Sequence, residues 1–73
     1  MTLQERVGQT IIDERKAQGM SQEKFAYEAE IDRRYMSDIE NGRRNISLDI
    51  LERICSTLHL SLSEFFAKVE KVK

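Results

Sequence analysis

The sequence holds a single cysteine, Cys55, and a single histidine, His59. No disulfide can form within the chain, and no His/Cys cluster exists with metal-ligand spacing. No cofactor is therefore expected. Proline is absent and there are only three glycines, at positions 8, 19 and 42, which suits helices joined by short turns. No apolar run approaches the roughly 20 residues of a membrane span, and the N-terminus lacks the apolar stretch of a signal peptide. These absences predict a soluble cytoplasmic protein without a membrane partner. With 73 residues there is apolar material for one core and one domain, residues 1–73. Chains of this size commonly gain stability by associating.

The formal net charge is −1, which by itself argues against nucleic acid. Distribution matters more, because a phosphate is felt over about 8 Å at physiological salt. Four of the twelve basic residues, Arg33, Arg34, Arg43 and Arg44, fall within one short stretch. Much of the acid lies elsewhere, at Glu5, Asp13, Glu14, Glu28, Glu30, Asp49, Glu52 and Glu64. A basic face on an acidic body is compatible with this pattern.

Hydrophobic periodicity divides the chain into five helices, an all-α fold. Leu3, Val7 and Ile11 recur every four residues, followed by Ala17 and Met20, and predict a first helix over about 3–18 that Gly19 stops. Ser21 caps a second, with Phe25, Ala26 and Ala29 inward, ending near Glu30. Ile31 plugs a tight connection. Asp32 caps a third helix, with Met36 and Ile39 inward, broken by Asn41-Gly42. Arg43 to Asn45 reads as a loop. Ser47 caps a fourth helix bearing Ile50, Leu51, Ile54, Cys55 and Leu58. Ser61-Leu-Ser-Glu64 is a capping box for a fifth, with Leu62, Phe65, Phe66 and Val69 apolar and a tail from Glu70 expected to fray.

The second and third helices, Ser21–Glu30 and Asp32–Glu40, with a tight turn between them, make a helix-turn-helix. The second helix of such a unit enters a major groove with its first residues at base edges. Those residues are Arg33, Arg34 and Ser37, with Tyr35 alongside. Arginine's planar fork matches guanine O6 and N7, and one such contact discriminates by about 1–3 kcal/mol. Gln22 opens the preceding helix, where a phosphate is naturally met. Arg43, Arg44 and Asn45 follow in the loop, placed to hold the DNA backbone or reach the minor groove.

The residues Gly8-x-x-Ile11, Arg15, Gly19-Met-Ser-Gln22-Glu-Lys-Phe-Ala26, Ile31, Tyr35-Met-Ser-Asp-Ile-Glu-Asn-Gly42 and Ser47-Leu48-x-x-Leu51-x-x-Ile54-x-x-x-Leu58 resemble the XRE, or phage-repressor-like, helix-turn-helix family. The match runs over about residues 7–66. Within that family, Asp32 to Glu40 followed by Arg44-Asn45 is similar to the controller proteins of restriction–modification operons. The resemblance implies a compact five-helix, lambda-repressor-like domain that dimerises through its C-terminal helices and binds an inverted repeat. It implies that Gln22 contacts phosphate, that Arg33, Arg34 and Ser37 face bases, and that Tyr35, Arg44 and Asn45 hold the backbone. It also implies an ion pair between Arg15 and Glu40 that orients the reading helix. Three positions depart from the family pattern. Ile12 and Glu14 replace an arginine and a leucine, so either the first helix is rotated or Glu14 joins the Arg15–Glu40 pair. Glu30 replaces a turn glycine, so the turn either avoids a left-handed residue or is strained. His59 stands at another glycine position, which histidine tolerates.

Each feature has a plainer explanation. Paired arginines are usually a solvated helix face; within a helix-turn-helix the DNA role outweighs it. Tyr35 fits equally a ring packed at the core edge with its hydroxyl outward. Asp38 lies on the reading face, where it repels phosphate or orders a nearby arginine. Cys55 is a small buried apolar residue and His59 a turn residue. The apolar residues Leu60, Leu62, Phe65, Phe66 and Val69 close the core, and the excess among them predicts a twofold interface formed by the C-terminal helix, about 61–69. The expected partners are a palindromic duplex, a second copy of the chain and, at a promoter, RNA polymerase. The competing function is an antitoxin or protein-interaction module on the same fold. No nucleophile–base pair, phosphate loop or metal site suggests an enzyme.

Overall fold

The computed structural model describes all 73 residues and contains five helices and no strand. They are α1 (Leu3–Ala17), α2 (Gln22–Glu28), α3 (Arg33–Glu40), α4 (Leu48–Leu58) and α5 (Leu62–Lys71). Every helix begins on a side-chain cap. The hydroxyls of Ser21, Ser47 and Ser61 accept from the N–H three residues on, at 3.1 Å each. Asp32 Oδ1 takes the N–H groups of Arg34 (2.9 Å) and Tyr35 (3.3 Å). Thr2 and Glu5 form a capping box on α1 with the same spacing as Ser61 and Glu64 on α5.

The first four helices end in one common way. Gly19, Glu30, Gly42 and His59 all adopt φ between 57° and 74°, the left-handed region. In each case the next residue's N–H donates to the carbonyl five positions back: Met20 to Arg15, Ile31 to Ala26, Arg43 to Asp38 and Leu60 to Cys55, at 2.8–3.0 Å. This closure normally buries an apolar residue just after the turn. Met20, Ile31 and Leu60 do pack against the core. Arg43, the fourth, is exposed. Glu30 at φ 57° carries left-handed strain, and Arg53 Nη1 of α4 donates to its carbonyl at 3.1 Å.

Ile11, Phe25, Met36, Ile54, Phe65 and Val69 are fully or almost fully buried and link all five helices into one core. α1 contributes less apolar surface than its periodicity suggests. Ala17 and Leu3 are exposed, Met20 is half-buried, and the buried side is instead Val7, Gly8, Thr10, Ile11 and Arg15. Gly8 lets α1 reach α3: a Cβ there would overlap the carbonyl oxygens of Glu40 and Ile39, the second at 2.7 Å. α5 runs on to Lys71 through the stretch expected to fray, because Val69 is anchored in the core and Lys68 and Lys71 complement the helix C-terminus.

Candidate nucleic-acid interface

Helix α3 is fixed from its inner side. Met36 and Ile39 are in the core and Glu40 is 6% exposed, so Arg33, Arg34 and Ser37 are left outward. Together with Gln22 and Asp32 they line an open groove that contains no apolar side chain. Arg34 makes no side-chain hydrogen bond or ion pair. Arg33 Nη1 lies 3.2 Å from Glu23 Oε2, but both side chains are more than 60% exposed, so water and salt screen the pair heavily. Both guanidiniums are thus available to an anion entering the groove.

The loop after α3 holds a second set of donors. Arg43 is exposed and unpaired. The Arg44 guanidinium lies 4.9 Å from the centroid of the half-buried Tyr35 ring, and its Nε lies 3.5 Å from Asp38 Oδ2. Asp38 therefore orders a neighbouring arginine. Tyr35 packs at the core edge and serves as a platform for Arg44 at the same time. Asn45 Oδ1 accepts from Gln4 Nε2, which ties the loop back to α1. Nothing in the local sequence signals that contact, because its partners are 41 residues apart.

Behind the groove lies a buried polar network. Arg15 Nε and Nη2 donate to Glu40 Oε2 and Oε1 at 2.7 and 3.0 Å, and Arg15 Nη1 donates to the Met20 carbonyl at 3.2 Å. The hydrogen bonds to Glu40 raise the Arg15 pKa above its ordinary value and keep it charged. Gln22 Nε2 donates to Glu40 Oε1 at 3.0 Å, so the groove residue at the start of α2 is tied to the end of α3. No buried side-chain nitrogen or oxygen lacks a partner. Glu14 does not join the Arg15–Glu40 pair. It faces Lys68 of α5 at 3.6 Å.

The C-terminal apolar set divides unevenly. Phe65 and Val69 are 0% exposed and belong to the protomer's own core, so they have no surface to offer a second copy, which corrects the expected interface. Phe66 packs edge-on against Phe65 with ring centroids 5.4 Å apart and stays half-buried, as does Leu60. Leu62 is 51% exposed, and Leu48 is 83% exposed beside it in a shallow depression they share with Leu51. Cys55 is buried, and burial pushes its thiol pKa up. No helix is long and apolar enough to cross a membrane.

The helix-turn-helix family model matches residues 11–65. The control protein C.MunI of a Mycoplasma species is 52% identical over 52 residues, covering 71% of this chain and 70% of that one. The control protein C.BamHI of Bacillus amyloliquefaciens is 56% identical over 39 residues, covering 53% of this chain and 48% of its own. Among solved structures, the restriction–modification controller protein C.Esp1396I, as a tetramer in complex with its natural 35 base-pair operator, superposes with a TM-score of 0.87. It is 37% identical, over 97% of this chain and 93% of that one.

Proposed function

We propose, from the premise that this chain belongs to the restriction–modification controller proteins of the helix-turn-helix family, that it is a sequence-specific DNA-binding transcriptional regulator acting as a homodimer on an inverted-repeat operator. The observation that carries this is the wholly polar groove of Gln22, Asp32, Arg33, Arg34 and Ser37 at the start of the reading helix. A chain of net charge −1 concentrates four of its arginines between residues 33 and 44, two of them in this groove. Arg33, Arg34 and Ser37 read base edges, and Gln22, Tyr35, Arg43, Arg44 and Asn45 hold the backbone. In a twofold dimer joined through Leu60, Leu62 and Phe66 of the C-terminal segment, the two reading helices enter successive major grooves about 34 Å apart.

Binding proceeds by exchange of partners. Long-range attraction brings the phosphates in. The exposed Arg33–Glu23 pair opens at little cost, because a screened surface pair is worth only about 0–1 kcal/mol. The Arg15–Glu40–Gln22 network keeps α3 at a fixed angle while its arginines search for base edges. A gel shift with the DNA upstream of the protein's own gene, against a random duplex, tests the reading. Arg33→Ala and Arg34→Ala should each relax discrimination at one base pair of each half-site, by about 1–3 kcal/mol. Arg44→Ala should weaken random duplex as well as operator, the operator more, without shifting preference at any single base pair, and flatten the salt dependence by about one unit. Equal losses on specific and random DNA for all three variants would remove the base readers.

A further inference from the structure

Asp38 is the only carboxylate within α3 that faces outward, since Glu40 is buried with Arg15. It stands one turn from Tyr35, and Arg44 lies across both, its guanidinium 4.9 Å from the ring centroid and its Nε 3.5 Å from Asp38 Oδ2. The same residue anchors the loop through its backbone, where the Asp38 carbonyl accepts the Arg43 N–H at 2.9 Å. The Asp38 side chain is 29% exposed, against 74% for Glu23, which pairs with Arg33, while the two arginines are similarly exposed at 54% and 62%. Of Arg33, Arg34, Arg43 and Arg44, only Arg44 is held by both a ring and a carboxylate.

An arginine free to swing is drawn to any phosphate and adds to binding on every sequence. One already held in place loses little side-chain freedom on binding, and it contributes fully only where the duplex presents a phosphate or groove wall at its position. The neighbouring carboxylate meanwhile offsets long-range attraction to all DNA. We propose that Asp38 is a positioning residue that sets the specificity ratio of this interface: by holding Arg44 against Tyr35 it lowers affinity for random duplex while preserving affinity for the operator. The inference rests on the DNA-binding function above.

The test uses the full chain as wild type, Asp38→Asn, Asp38→Glu, Arg44→Ala and the Asp38→Asn/Arg44→Ala double variant. Two probes are compared by fluorescence anisotropy over a range of salt: a duplex that the wild type enriches from a randomised pool, and a random duplex of equal length. Asp38→Asn should bind the random duplex about tenfold more tightly and steepen its salt slope by about one unit, with the enriched duplex changed less than about threefold. Asp38→Glu should keep the wild-type ratio. On the Arg44→Ala background, Asp38→Asn should leave the ratio unchanged, as a double-mutant cycle requires if Asp38 acts through Arg44. Equal tightening on both duplexes, or a fall in the ratio that persists without Arg44, would overturn the inference and leave the DNA-binding function intact. Failure of the wild type to enrich any sequence would overturn that function, and this inference with it.

Discussion

Arg15 and Glu40, 25 residues apart, meet in a bidentate pair at 2.7 and 3.0 Å with side-chain exposures of 11% and 3%. The pair joins the end of α1 to the end of α3, and through Gln22 it reaches the start of α2. Removing one partner leaves an uncompensated buried charge, which costs far more than the pair gains in net stability. Glu40→Gln is therefore expected to lower unfolding free energy by about 3–5 kcal/mol in urea titrations. The double variant Arg15→Met/Glu40→Leu should recover most of that loss, because an apolar pair of similar volume avoids desolvation. Its operator affinity should stay below wild type, since the angle of α3 is then set by apolar contacts that lack directionality. Full recovery of both stability and affinity would deny the pair an orienting role.

Gly8 has a different kind of importance. A methyl group there would meet backbone oxygens of Glu40 and Ile39, which cannot move aside as a flexible side chain would. Gly8→Ala gains helix propensity of about 1 kcal/mol within α1, yet it forces α1 away from α3. The net expectation is a loss of about 1–3 kcal/mol. A stability equal to or above wild type would show that the two helices can part without cost.

Much of this molecule is legible in its sequence, and the boundary of legibility is physical. Ser21, Asp32, Ser47 and Ser61 mark four helix starts because capping is a local matter of one side chain and the next three N–H groups. Gly19 and Gly42 mark two helix ends for the same reason. The outward set Arg33, Arg34 and Ser37 follows from periodicity, since Met36 and Ile39 fix the inward side. Contacts across the fold are another matter. Gln4 with Asn45, Gln22 with Glu40 and Glu14 with Lys68 depend on how helices pack, and no spacing encodes them. Nor does apolar character say which apolar residues remain outside: Phe65 and Leu62 look alike in sequence, and one is buried while the other is half in water.

The turn between α2 and α3 is held by a residue poorly suited to it. Glu30 sits at φ 57°, a conformation that costs a residue with a Cβ about 1–2 kcal/mol. Glycine would remove that strain, though its greater freedom in the unfolded chain offsets part of the gain. Glu30→Gly is expected to raise stability by about 0.5–1 kcal/mol. Arg53 should still hold the turn, because it binds the backbone carbonyl and not the Glu30 side chain. Thermal melts of the variant check this, and a lower melting temperature would mean that the glutamate side chain contributes something beyond its backbone geometry.

Glu5 and Glu64 each accept the N–H of their own cap residue, Thr2 at 2.7 Å and Ser61 at 2.8 Å. Those backbone hydrogen bonds hold both carboxyls below their ordinary value of 4.5. A pKa lowered by folding means that the unfolded chain binds the proton more readily. The contribution of each box is therefore present above pH 4.5 and is lost as pH falls through the lowered values. Carboxyl chemical shifts followed into acid should titrate at these two positions below 4.5, and Glu64→Gln should reduce the acid sensitivity of melting. Midpoints at or above 4.5 would mean that the boxes are open in solution.

Two residues of α5 separate association from folding. Phe65 is 0% exposed, so Phe65→Ala removes core contacts within one protomer and should cost about 3–5 kcal/mol of stability. Leu62 is 51% exposed and adjoins Leu48, so a charge there meets water in the monomer but an apolar surface in the proposed dimer. Leu62→Glu should therefore keep the helical circular dichroism of the protomer while sedimentation equilibrium shifts towards monomer. The monomer can engage only one half-site at a time, and it loses the gain of about 10²–10⁴ that a linked second site provides. Operator affinity should fall by a factor of that order, with little change on a single half-site. Unaltered dimerisation in Leu62→Glu would move the twofold axis away from this end of α5.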